Sequence, residues 1–100
     1  MRNAVRFPLQ LHVKVETGQG FLDAVTVDIS ATGVLFLMPS APPIHTRLAW
    51  TLRLPADVMG AKEDVTVRCV GRVIWHGPAD EGQQVGVVID DYRIGDRTHA

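Results

Sequence analysis

Cysteine is nearly absent from this sequence: Cys69 stands alone, so no internal disulfide can form and a disulfide-stapled secreted scaffold is excluded. A reducing compartment, the cytoplasm, is the expected location. Charge of one sign is also lacking, with ten Lys and Arg against eleven Asp and Glu and a formal net charge of −1. That balance excludes the broad basic surface that polymeric nucleic acid requires, although a few arginines set together can still hold one small anion. No apolar run approaches the ~18 residues of a membrane span, so membrane insertion is not expected. Residues 1–15 alternate polar with apolar and include Arg2, Arg6 and Lys14, unlike the unbroken apolar stretch of a secretory leader. Aromatics are few: Phe7, Phe21, Phe36, Trp50, Trp75 and Tyr92. A barrel that binds single-stranded nucleic acid needs several of them exposed beside a basic groove. Catalytic patterns are missing too. His12, His45, His76 and His99 have no metal-ligand spacing, and Gly18 and Gly20 lack the lysine and helix of a phosphate loop. Asp28, Ser30 and His76 make a hydrolytic set only on paper, since no G-x-S-x-G elbow surrounds Ser30. No enzyme activity, metal or resident cofactor is expected.

What the chain does have is alternation. One hundred residues, 46% of them apolar, suit one compact domain with a single core. A chain of this length buries about 60–70% of the surface it exposes when unfolded, so a ligand that binds only the folded state shifts its stability noticeably. Leu9, Leu11, Val13 and Val15 alternate with Gln10, His12, Lys14 and Glu16, the period of a strand with one buried face. A loop at 17–20 leads to a second strand with Val25, Val27 and Ile29 on one face and Thr26, Asp28 and Ser30 on the other. Residues 34–38 are all apolar, which predicts a third strand covered on both sides. Leu48, Trp50, Leu52 and Leu54 mark a fourth, with Trp50 in the core. Residues 56–64 read as a loop with room for one helical turn. A long strand at 65–76 carries Val65, Val67, Cys69, Val73 and Trp75 in step, with Gly71 at a bend or bulge. Val85, Val87 and Ile89 form the last strand, and residues 90–94 are expected to trail off or open a short C-terminal helix. Six short strands without an amphipathic helix predict an all-β, six-stranded antiparallel barrel, since closure removes exposed edges.

Two motifs carry a resemblance. Arg2-Asn3-Ala4-Val5-Arg6 has the form RxxxR, and Asp28-Ile29-Ser30-Ala31-Thr32-Gly33 has the form (D/N)xSxxG. In this order, and with 69–75 and 85–89 similar to the family's last two barrel strands, the chain resembles PilZ domains along most of its length. The resemblance implies a receptor or adaptor module that binds the bacterial second messenger cyclic di-GMP, changes conformation and signals to an unidentified partner protein or neighbouring domain. Arg2, Arg6, Asp28, Ser30 and Gly33 are the ligand-binding residues it implies. One or two ligand molecules per site both fit. The alternative is a PilZ-like protein-interaction module that binds no nucleotide, as in family members without the arginine motif. On this reading residues 1–6 are a flexible arginine arm that folds over the ligand, 7–90 the barrel and 91–100 a tail.

The chemistry of these residue types agrees. Positions four apart share a side of a helix or of a strand, and a guanidinium fork matches phosphate oxygens or the guanine O6/N7 edge. A carboxylate at Asp28 accepts from guanine N1 and N2 hydrogens, and a hydroxyl at Ser30 serves either way. Gly33 permits a positive φ and a close approach to the ligand. Residues 28–33 read alone are equally ordinary hairpin chemistry; the joint occurrence of both motifs in an all-β pattern favours the ligand site. Trp75 has two readings: stacked on a guanine base, or directed into the core by its alternation with Val73.

Overall fold

In a computed structural model, residues 8–60 and 62–94 are described. Six strands, β1 (His12–Thr17), β2 (Gly20–Ile29), β3 (Gly33–Met38), β4 (Arg47–Leu54), β5 (Val65–Pro78) and β6 (Gln83–Ile94), close into one antiparallel barrel in the order β1-β2-β3-β6-β5-β4. The loop after β4 holds a single helical turn, α1 (Ala56–Met59), closed by Gly60 in the left-handed region. The inward halves of the alternating strands fill the barrel. Trp50 and Phe36 meet edge to face with ring centroids 5.3 Å apart, and Val15, Leu48, Leu52, Val73 and Val85 pack around them. Trp50 Nε1 is buried with no hydrogen-bond partner among the described residues. Cys69 is also buried, which pushes its thiol pKa up to about 11.

The structure departs from the expected pattern where the register slips. In β2 it is Ala24 and Thr26 that point inward, not Val25 and Val27. Thr26 pairs with Phe36 and Asp28 with Leu35, so Val27 is an extra residue, a β-bulge. The insertion reverses the facing of everything after it, and Ile29 returns to the core with Asp28 and Ser30 outside. Thr26 tolerates burial because its hydroxyl donates to Leu9 O and accepts from Leu11 N at 2.8 Å. That bond pins Leu9 and Leu11 against the core ahead of β1, which begins only at His12.

β3 is not covered on both sides. Val34, Phe36 and Met38 are buried, while Leu35 and Leu37 are half-exposed on the outer wall. The C-terminal helix expected over 90–94 is strand instead: β6 continues to Ile94 by pairing Tyr92 with Cys69 and Ile94 with Val67. Residues 91–94 thus belong to the barrel and not to a tail. Gly71 does lie at a register shift, as expected, with the extra residue, Asp90, on the opposite strand.

Candidate ligand-binding site

A second bulge decides the site. Val73 pairs with Val87 and Trp75 with Gly86, which leaves Ile74 unpaired. Continued alternation from Val73, which is fully buried, would have put Trp75 in the core; the bulge turns it outward instead, 45% exposed. The reading that directs Trp75 into the core is thereby corrected: its indole lies at the surface.

The two bulges aim at each other. Register pairs Asp28 with Leu35, Leu35 with Gly86, and Gly86 with Trp75, so the four stand in one row across β2, β3, β6 and β5. Around that row lies an open cavity of about 380 Å³, whose walls include Asp28, Ser30, Gly33, Leu35, Trp75 and Gly86. Its size falls in the range usual for small-molecule sites. Four of the six residues expected to bind ligand, Asp28, Ser30, Gly33 and Trp75, are therefore brought together. Arg2 and Arg6 lie outside the described residues.

The turn that shapes one wall is built locally. Ser30 Oγ accepts from Thr32 N at 3.3 Å and from Gly33 N at 3.2 Å, while Ser30 N donates to Gly33 O at 2.9 Å. Ile89 N donates to Thr32 O at 2.9 Å and ties the turn to β6. The hydroxyl thus serves first to fold the turn. Gly33 differs from its expected conformation, since positive φ among the described glycines occurs at Gly20, Gly60 and Gly82. Its need for glycine is close packing: a Cβ there would stand 2.7 Å from Val87 O, so β3 could not approach β6.

Beside the cavity, Val88 pairs with Arg72 across β5 and β6, and Arg72 pairs with Arg47. Arg72 grips Asp90 in a fork, Nη2 to Oδ1 at 2.7 Å and Nε to Oδ2 at 2.8 Å. Those hydrogen bonds hold the Asp90 carboxyl below the usual carboxylate range. On the far side of the turn lies a second cavity of about 240 Å³, almost wholly apolar, which shares Ile29 and Ser30 with the first. Tyr92 and Ile94 stand exposed at its rim.

Sequence reasoning missed Leu35 and Gly86. The signal for Gly86 was available: a glycine inside an apolar strand marks a place where something crosses close to the backbone. Leu35 was hidden in a run read as doubly buried.

A small closed antiparallel barrel with a polar and aromatic cavity on its outer wall is the arrangement of a binding module. The chain belongs to the PilZ domain family: the family model matches residues 1–100, its whole length. PilZ domains are known as cyclic di-GMP receptor domains, regulatory binding modules and not enzymes. No individual curated protein matches the chain significantly. No helix among the described residues is long and apolar enough to cross a membrane.

Proposed function

We propose that this protein is a cyclic di-GMP receptor module of the cytoplasm that passes its bound state to a partner protein or a neighbouring domain. The observation that carries the proposal is the row Asp28–Leu35–Gly86–Trp75, in which two independent bulges turn a carboxylate and an indole onto one outer surface. A guanine offers N1 and N2 hydrogens to a carboxylate and a flat face to an indole. The two chemistries needed for one base are present on one wall.

In this reading Arg2 and Arg6 supply positive charge to the site, by closing guanidinium forks on phosphate or on the guanine O6/N7 edge. Charge-assisted contacts of this kind offset the entropy lost when a segment is ordered around its ligand. The Ser30 turn, shared by the ligand cavity and the apolar cavity behind it, gives the bound state an adjoining surface to alter.

Titration calorimetry with cyclic di-GMP, with GTP and cyclic di-AMP as controls, tests the proposal. A saturable response to cyclic di-GMP alone is expected. Absence of that response overturns the receptor reading and leaves a PilZ-like protein-interaction module.

A further inference from the structure

Gly86 is buried, yet it lies on a row whose neighbours Leu35 and Trp75 face outward. What covers it is the indole of Trp75. A Cβ placed on Gly86 would overlap Trp75 Nε1 and stand 2.7 Å from Cε2 and 2.8 Å from Cδ1. Those three side-chain atoms are the nearest neighbours of that missing Cβ. At Gly33 and Gly71, by contrast, the nearest atom is a backbone carbonyl oxygen. The glycine at 86 therefore makes room for one side chain and not for the approach of two strands.

The lean of that ring fixes a distance. Asp28 and Trp75 stand three strand spacings apart along the row, roughly 14 Å at the usual spacing between neighbouring strands. By lying across β6 the indole takes up about one of those spacings, ~5 Å, and brings its pyrrole edge toward Leu35 and Asp28. A base held at its edge by Asp28 and on its face by Trp75 must fit what remains.

We propose that Gly86 is a positioning residue for the nucleotide site: its missing side chain lets the Trp75 indole lie down over β6, which sets the span between the aromatic platform and the Asp28 carboxylate to suit one flat purine. The inference rests on the receptor reading above. It differs from that reading in assigning the fit to a residue that offers the ligand no functional group.

Two measurements on the full chain separate the inference from the reading. In nitrogen–proton spectra of the unliganded protein, G86A shifts the indole N–H resonance of Trp75 and leaves that of Trp50 in place. G77A is the control, because a Cβ at Gly77 meets Trp75 Cζ3 at an ordinary 3.8 Å; it moves neither resonance by a comparable amount. In calorimetry with cyclic di-GMP, G86A weakens binding about fivefold to a hundredfold, the range spanned by losing one base–aromatic stack. W75A weakens it similarly, and W75A/G86A is no weaker than W75A, since the smaller side chain relieves the overlap. An unmoved Trp75 resonance in G86A, wild-type affinity in G86A, or additive losses in the double variant would each overturn the inference while leaving the receptor reading intact. Failure of the wild type to bind overturns both, and is recognised before any variant is compared.

Discussion

Trp50 and Trp75 sit on adjacent strands of the same barrel, each two residues beyond a buried aliphatic, Leu48 and Val73, and they end on opposite sides of its wall. Trp50 is fully buried and Trp75 is 45% exposed. Residue type does not separate them; register does. β4 pairs with β5 without interruption from Arg47 and Arg72 to Leu54 and Val65, whereas β5 carries one extra residue, Ile74, against β6. A single inserted residue thus converts a core position into an outward-facing one. Each indole also lies over a glycine, but for different reasons. A Cβ at Gly71 would overlap Val88 O and come within 3.1 Å of Trp50 Cη2, whereas at Gly86 the nearest atoms belong to a side chain that can move.

The largest expected contrast comes from removing the two indoles. Trp50→Ala leaves a cavity at the centre of the barrel and costs about 3–5 kcal/mol, a large share of the stability of so small a domain. Trp75→Ala costs under about 1 kcal/mol, the usual range for an exposed position. Chemical denaturation of both variants checks this, and equal losses would break the comparison. Next come the glycines. Gly71→Ala forces backbone against backbone and costs about 1–3 kcal/mol, read as a lower denaturation midpoint, while Gly86→Ala costs clearly less because only a ring has to move.

The turn offers a finer contrast between building the site and using it. Ser30→Ala removes the acceptor of two backbone N–H groups and costs about 1 kcal/mol of stability. Asp28→Ala weakens cyclic di-GMP binding by about ten- to a hundredfold, as expected for a hydrogen bond to a charged group. Denaturation and calorimetry on each variant separate the two roles. A Ser30→Ala protein of unchanged stability would show that the turn folds without its hydroxyl.

The smallest effects are pH-dependent and differ between the two faces of the wall. Inside, Cys69 pairs in register with Trp50, and burial raises its thiol from 9.0 to about 11. The unfolded chain loses this proton first, so stability falls as pH rises through that window. Cys69→Ala flattens the fall. Outside, the Asp90 carboxyl is held low by hydrogen bonds from Arg72. That contribution is present above the ordinary carboxylate pKa and lost as pH falls through the depressed value. Asp90→Asn removes it, and added salt weakens it, as expected of an exposed pair. Thermal melts across pH at low and high salt measure both.

The barrel was legible where its strands obey the period of two without interruption: β4, the start of β5 and the centre of β6 stand where alternation puts them. Of the candidate cavity, Asp28, Ser30, Gly33 and Trp75 were legible as residues, but not the geometry that brings them together. Val25, Val27 and Ile29 alternate as if on one buried face, yet Ala24 and Thr26 are inside, because a bulge carries no residue signature at Val27 or Ile74. The inward polar choice at Thr26 becomes favourable only once Leu9 and Leu11 lie alongside to bond its hydroxyl, a contact between residues far apart in sequence. The pairing of residues 91–94 with β5 likewise depends on a partner strand that local pattern does not reveal.

Trp75 and Asp28 share one outward-facing row while Trp50 stays sealed inside the barrel. The most direct test follows the two indole N–H resonances as cyclic di-GMP is added. A saturable shift of the Trp75 resonance, with that of Trp50 nearly still, is the predicted result. Binding that leaves Trp75 unmoved would contradict the account.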